Sequence, residues 1–310
     1  MSEKLYVLGY PVDHSKSPAM YNAVYDALGL DWQYGFMSCE NEEDARAFLD
    51  AGDFLSINIT TPYKPLALSY AATATPAAAL AHGANVLVAT PRGFAADNTD
   101  GVGAVAALER AGAAIEGARV AVCGTGPAAR AILSACAFAG AFSVALLGRD
   151  EARTAGALAA YTSDLAALAA QDADFNPFGS ELVRRSPAEV LDGAGFVAAA
   201  YGSVAANEAL TSADVVVDAT TLGMRAGDPA PFDTALLHAG QTAFDVVYAH
   251  GETAFLAGAR AAGCRALDGE GMLVAQAIAT LGDIAAVRPE LDCAGIDLFA
   301  LMAKAAGFSL

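Results

Sequence analysis

Strand-like and helical runs alternate along almost the whole of this 310-residue chain, and no other feature narrows its fold so far. Short strand-like runs recur at Leu5 to Gly9, Trp32 to Ser38, Phe54 to Ile59, Arg119 to Cys123, Ser143 to Leu147, Val215 to Asp218 and Thr242 to Val247. Between them lie stretches with apolar residues three and four apart, the spacing of one helix face. Met20, Ala23, Val24, Ala27 and Leu28 make such a face, with Ser17 as its cap, Pro18 in its first turn and Gly29 at its end. Asn41, followed by Glu42, Glu43 and Asp44, opens a second helix that closes at Gly52. This alternation predicts an α/β protein with layers around mainly parallel sheets and ligands at the carboxyl ends of the strands.

Composition excludes several partners. A net charge of −18 argues against nucleic acid and anionic membrane surfaces, which need a basic face, so an anionic ligand must be caught by local groups. Ala131 to Gly148 carries no charge and reaches spanning length, but it is rich in Ala, Gly and Ser, and Gly140 divides a helix-like half from a strand-like half. A buried helix followed by a parallel strand is expected there. Met1 to Val12 lacks the charged, apolar and small-residue succession of a signal peptide, which makes the cytoplasm the expected compartment. Cys39, Cys123, Cys136, Cys264 and Cys293 form no Cys-x-x-Cys pair and no zinc spacing with the four histidines, so reduced thiols and no metal site are expected.

Thr99 is a plausible cap for a helix from Gly101 to Ala111 that would join two domains, and Pro91-Arg92-Gly93 reads as a turn between two short strands. The segment from about 151 to 214 is long for one crossover. It contains Asn176-Pro177-Phe178-Gly179 and a capping-box pattern at Ser186-Pro187-Ala188-Glu189, and it is read as extra helices forming a lid or docking surface.

Two motifs carry chemistry. Val120 to Arg130 has strand, glycine loop and helix in the order a pyrophosphate site requires, and fits Gly-x-Gly-x-x-Ala. Gly124 permits the tight turn, Gly126 lets backbone approach phosphate, and Ala129 keeps the helix close to the strand, with its first amides facing the anion. The next strand ends in Leu147-Gly148-Arg149-Asp150-Glu151-Ala152-Arg153, which places Arg149 where a 2′-phosphate sits and Arg153 one helical turn on, favouring NADP. Asp150 leaves NAD as the alternative, because turned inward it would serve a ribose diol.

The second motif is Asn58-Ile59-Thr60-Thr61-Pro62-Tyr63-Lys64. Asn58 and Thr60 alternate on one face of a buried strand, Pro62 stops it and Lys64 begins the next element, so three polar heads aim into one cleft. Asp97-Asn98-Thr99-Asp100-Gly101 supplies a carboxylate to face Lys64. A lysine and a carboxylate beside a nicotinamide would make a proton-transfer pair for hydride chemistry at a carbonyl.

Together these pieces resemble the shikimate dehydrogenase family. The resemblance runs from Tyr6 to Gln276 and adds His14-Ser15-Lys16-Ser17-Pro18, Gly83-Ala84-Asn85, Ala219-Thr220-Thr221-Leu222-Gly223-Met224, Asp245-Val246-Val247-Tyr248 and Gly269-Glu270-Gly271-Met272-Leu273-Val274-Ala275-Gln276. It implies two α/β domains flanking a cleft: residues 1–100 plus 269–310 for substrate, and a Rossmann-type doubly wound unit at 101–268 for NADP. It implies reversible NADPH-dependent reduction of 3-dehydroshikimate to shikimate, on the route to chorismate and the aromatic amino acids, in a monomer or homodimer. Lys64 and Asp100 would be catalytic. Ser15 and Ser17 beside a helix N-terminus would hold the substrate carboxylate with Tyr248, while Asn58, Thr60, Asn85 and Gln276 would meet the ring hydroxyls. Gly124, Thr125, Gly126, Pro127, Ala128, Arg149, Arg153, Thr220, Val246 and Gly269 would hold the cofactor.

This chain also departs from the family pattern. His250 and Ala254 stand where many members carry proline, Gly148-Arg149-Asp150 replaces the usual Asn-Arg-Thr, and the 151–214 segment is longer. Two other readings therefore stand beside the first: a quinate or dual quinate/shikimate dehydrogenase using NAD, and a non-catalytic dinucleotide sensor.

Overall fold

The computed structural model describes residues 3–171 and 182–310; Asn176 to Gly179 lie outside the described residues. The first half of the chain runs β1 (Glu3–Gly9), α1 (Ser17–Leu28), β2 (Trp32–Ser38), α2 (Glu42–Ala51), β3 (Ser56–Ile59), α3 (Lys64–Ser69), β4 (Ala71–Ala74), α4 (Pro76–Ala81), β5 (Val86–Thr90), β6 (Gly93–Asp97) and α5 (Asp100–Arg110). The second runs β7 (Arg119–Cys123), α6 (Pro127–Phe138), β8 (Ser143–Gly148), α7 (Glu151–Ala169), α8 (Pro187–Gly193), β9 (Gly195–Ala200), α9 (Val204–Ser212), β10 (Val215–Asp218), β11 (Thr242–Asp245), α10 (Ala254–Ala261), β12 (Arg265–Leu267), α11 (Glu270–Ala285) and α12 (Leu298–Ala306).

Two six-stranded sheets result. The first has the order β2-β1-β3-β5-β6-β4, with β1 parallel to β2 and β3, a switch to antiparallel pairing at β3–β5 and β5–β6, and β4 parallel to β6. The second is parallel throughout, in the order β12-β11-β10-β7-β8-β9. Every residue of β10 and β11 is buried, as expected of central strands covered by helices on both faces. The charge-free run of 131–148 divides into the end of α6 and strand β8, and no helix among the described residues is long and apolar enough to cross a membrane.

Local sequence explains most boundaries. Asn41 accepts from the Asp44 N–H to cap α2, and Gly29 and Gly52 end α1 and α2 in left-handed backbone. Two caps differ from the sequence reading. Ser17 lies inside the first turn of α1, and its N–H donates to Ser15 Oγ at 3.3 Å; the cap position belongs to Lys16. Thr99 occupies the cap position of α5, but its hydroxyl turns inward to Asn85 and Gln276.

Within the 151–214 segment, Ser186 and Glu189 form the expected capping box of α8. The helical reading misses β9, whose Gly-Phe-Val-Ala-Ala-Ala sequence favours helix locally but pairs with the whole of β8. Short β4 and β12 also escape sequence reading, because each forms only where a neighbouring strand offers hydrogen bonds.

The last two helices return to the first sheet. Val274, Ala277, Leu281, Met302 and Ala303 share a core with Leu5, Val7, Tyr21, Tyr25, Val86 and Val88. The second sheet has its own cores on its two faces, one centred on α6 and the other on α9 and α10.

Candidate active site

The opening motif places Lys64 as the first residue of α3, directly after the turn that ends β3. Its ammonium lies 2.5 Å from Asp100 Oδ2, Asp100 being the first residue of α5. The side chains keep 15% and 8% of their exposure, so the pair faces a cavity and is shielded from bulk water. Asn85 Nδ2 donates to the other carboxylate oxygen at 3.0 Å, and Asn98 Oδ1 accepts from the Asp100 N–H at 3.1 Å. Both carboxylate oxygens thus have donors, one of them charged, and the ammonium is fixed in place.

Around this pair lies a cavity of about 210 Å³. Its wall includes Ser15, Ser17, Asn58, Thr60, Lys64, Asn85 and Asp100 from the first sheet's side, Gln276 from α11, and Ala128, Thr220, Val246, Tyr248 and Gly269 from the other. The amides are already engaged. Asn58 Oδ1 accepts from the Tyr34 hydroxyl at 2.8 Å, and its Nδ2 donates to Thr280 Oγ1 and the Asn85 carbonyl. Asn85 Oδ1 accepts from the Thr99 N–H, and Gln276 Oε1 accepts from Asn85 and Thr99. This network sets the wall rigidly and leaves fewer free amide groups than the sequence suggests. Ser15 Oγ lies 3.2 Å from Ser17 Oγ. Tyr248 is held above the ordinary phenol range by burial, with the Ser15 hydroxyl opposing.

The glycine loop lies next to this cavity, and Ala128 in the first turn of α6 is the residue of the motif that lines it. Gly124 has φ +115°, and a Cβ there would lie 3.0 Å from the Ala219 carbonyl, so only glycine turns here beside β10. Gly126 precedes α6 with open space around its Cα, and Pro127 takes the first helical position. Gly83 brings the halves together: a Cβ would meet Pro127 at 2.9 Å and Lys64 Cβ at 3.1 Å. Gly83 therefore lies between Lys64 and the start of the helix that would receive pyrophosphate.

The residues present fit a dinucleotide. Gly124, Thr125, Gly126 and Pro127 form the turn and the helix start, and no side chain caps the first turn of α6, the position at which a helix receives a phosphate. Arg149 and Arg153 are exposed at the end of β8 and the start of α7. Asp150 caps α7, its Oδ1 accepting from the Arg153 N–H at 2.6 Å. Arg130, which lies in the glycine motif but has no role in the sequence reading, has a buried Nη1 with no partner. Its guanidinium is pushed down by burial and by Arg153, against Asp164. A buried guanidinium nitrogen without a partner, near the charge of a second arginine, is suited to a phosphate.

Sequence reading also leaves His14 and His250 without a role, although both line the cavity, with ring centroids 5.1 Å apart. A lone histidine in a loop gives no local signal of this kind.

Residues 7–87 match the family described as the shikimate dehydrogenase substrate binding domain. The shikimate dehydrogenase (NADP(+)) of Methanothrix thermoacetophila is 37% identical over 277 residues, covering 88% of this chain and 88% of that one. This chain belongs to the shikimate dehydrogenase family. A solved shikimate 5-dehydrogenase of Thermus thermophilus in complex with NADP(H) and shikimate superposes with a TM-score of 0.74 at 25% identity, over 98% of each chain. The 5-ketofructose reductase of a Gluconobacter strain is similar too, with a TM-score of 0.73 and 25% identity over 99% of this chain and 98% of that one. The shared fold therefore extends to a reductase named for another substrate.

Proposed function

We propose that this protein is an NADP-dependent shikimate dehydrogenase, catalysing the reversible reduction of 3-dehydroshikimate to shikimate on the route to chorismate. The observation that carries this reading is the Lys64–Asp100 pair in a cavity lined by Ser15 and Ser17 on one side and by Tyr248 and Ala128, in the first turn of the helix that follows the glycine loop, on the other. Residues 1–100 with 269–310 act as the substrate unit and 101–268 as the nucleotide unit, which agrees with how the two sheets and their cores divide the chain.

Ser15, Ser17 and Tyr248 supply hydroxyl donors to the carboxylate. Thr60 and the amide network of Asn58, Asn85 and Gln276 shape the space for the hydroxyl-bearing ring. Gly124 to Ala128 hold the pyrophosphate, Arg149, Arg153 and Arg130 hold the 2′-phosphate, and Thr220, Val246 and Gly269 border the nicotinamide. When bound, NADPH supplies a hydride to the carbonyl carbon. Lys64 donates its proton to the oxygen as negative charge develops there, while Asp100, anchored by Asn85, keeps the ammonium aimed. The lysine regains a proton from water through its small exposed fraction, and oxidation runs the same path in reverse, with the lysine amine as acceptor. A positioned acid of this kind contributes roughly 10²- to 10⁴-fold in rate.

Initial rates with shikimate and with quinate, each with NADP and with NAD, test the reading. The expected result is the highest kcat/KM for the shikimate–NADP pair; a preference for quinate or for NAD would refute the assignment.

A further inference from the structure

Among the described residues, only two in the cavity wall carry a full charge, Lys64 and Asp100, and they pair with each other. The carboxylate anchor formed by Ser15, Ser17 and Tyr248 is neutral, and the protein around it carries a net charge of −18. An anionic substrate would thus enter a negative field with no unpaired cation in the wall to meet it. Two imidazoles remain. His14, on the loop between β1 and α1, faces His250, on the loop after β11, with ring centroids 5.1 Å apart and planes inclined at 63°; His14 also lies 6.4 Å from the Tyr248 ring. One comes from the first half of the chain and one from the second, and both line the same cavity as Ser15.

We infer that His14 and His250 form a proton-accepting subsite that supplies the missing positive charge, taking up a proton as the substrate carboxylate settles on Ser15, Ser17 and Tyr248. This deepens the proposed function and rests on it. Without ligand, His14 is held below the ordinary imidazole range, first by burial and then by His250, with Asp13 on its own loop opposing. The other titratable groups around the pair are Tyr248, held up by burial, Tyr10 and, elsewhere in the wall, Lys64 with Asp100; Lys16, on the same loop as His14, lies outside the wall and acts on Glu270. Within the wall none of them supplies a free cation.

A carboxylate a few ångströms away reverses the balance, because an opposite charge favours the imidazolium. The complex then holds more protons than the free protein. Affinity falls as pH rises between the free and bound values, by up to tenfold per pH unit. Proton transfer from the bulk to one ring nitrogen is the whole of the chemistry; no bond to substrate forms.

Titration calorimetry with shikimate at pH 7, in two buffers of different ionisation enthalpy, counts the protons taken up. Quinate, which carries the same carboxylate, is the second ligand. The expected uptake is a substantial fraction of one proton, reduced in His14→Asn and in His250→Asn and abolished in the double variant. In parallel, KM for shikimate should rise about tenfold between pH 6 and 8 in the parent protein and stay flat in the double variant, with kcat showing no such difference. His250 is exposed, so its substitution tests the subsite without disturbing the core. Zero uptake in the parent, or uptake that survives in the double variant, overturns the inference. The two readings fail separately: absence of NADP-dependent shikimate oxidation refutes the activity, while turnover without linked proton uptake refutes only the subsite. A protein that binds neither acid loses both.

Discussion

Replacing Gly103 by alanine sets two effects of opposite sign against each other. Gly103 lies inside α5, where alanine favours the helix by about 1 kcal/mol through lower backbone entropy loss and better propensity. A Cβ there would stand 2.7 Å from Gln276 Cβ, 2.9 Å from its backbone nitrogen and 3.1 Å from its Cα. Ordinary carbon contacts lie near 3.5–4.0 Å, so α5 and α11 must separate by roughly 1 Å. The nearest atoms are backbone and Cβ, which cannot swing aside, and overpacking of this kind costs about 1–3 kcal/mol. Packing should therefore outweigh propensity, with a net loss near 1 kcal/mol and a melting temperature about 2 °C lower. Activity should fall further, because the displaced helix carries Gln276, whose Oε1 accepts from Asn85 and Thr99 beside Asp100. Misplacement by about 1 Å costs up to 10²-fold in rate. The assay is a thermal melt beside kcat/KM for shikimate. Gly156→Ala serves as reference: Gly156 lies in α7 with no atom within 4 Å of its added Cβ, and the variant should gain up to about 1 kcal/mol. A Gly103→Ala protein that melts no lower than its parent and turns over at the parental rate would show that this close approach does not position the site.

Lys64→Ala should lower kcat by about 10²- to 10⁴-fold with little change in KM, since the lost group acts mainly on the developing alkoxide; steady-state kinetics give the answer, and parental kcat would remove Lys64 from the chemistry. Arg149→Ala should raise KM for NADP at least tenfold while leaving that for NAD unchanged, which side-by-side kinetics would reveal. Asp283 in α11 lies against Asp97, and burial followed by the Asp97 charge pushes its carboxyl up to about 8, with Asp97 itself raised by burial. A raised carboxyl binds its proton more tightly when folded, so its contribution is full below the unfolded value of about 4 and is lost as pH rises through 8. Asp283→Asn should therefore stabilise the protein relative to the parent more at pH 9 than at pH 5.5, and equal melting shifts at the two pH values would count against a shared proton.

The membrane-length run at 131–148 shows how much composition and punctuation disclose. Gly140 and the change from Ala-rich to Val- and Leu-rich sequence mark where α6 ends and β8 begins, because helix and strand make different local demands. The glycine loop was legible for the same reason: Gly124 and Gly126 answer to turn geometry and backbone approach that operate within a few residues. Strand β9 was not legible, since its alanines favour a helix until β8 offers a complete ladder. The amide network was equally hidden, because the partners of Asn85 and Asn58 include Gln276 and Thr280, almost two hundred residues or more away in the chain.

Sequence by itself determined the alternation of elements, the dinucleotide loop and the candidate acid/base lysine, since periodicity, turn chemistry and capping act over short separations. Tertiary structure alone decided what surrounds that lysine. It placed Asp100 2.5 Å away, turned Thr99 inward and brought His14 opposite His250. Each of these depends on how far apart two elements stand and which face they present. That is fixed by packing across the cleft, as at Gly83 and Gly103, and no window of neighbouring residues contains it.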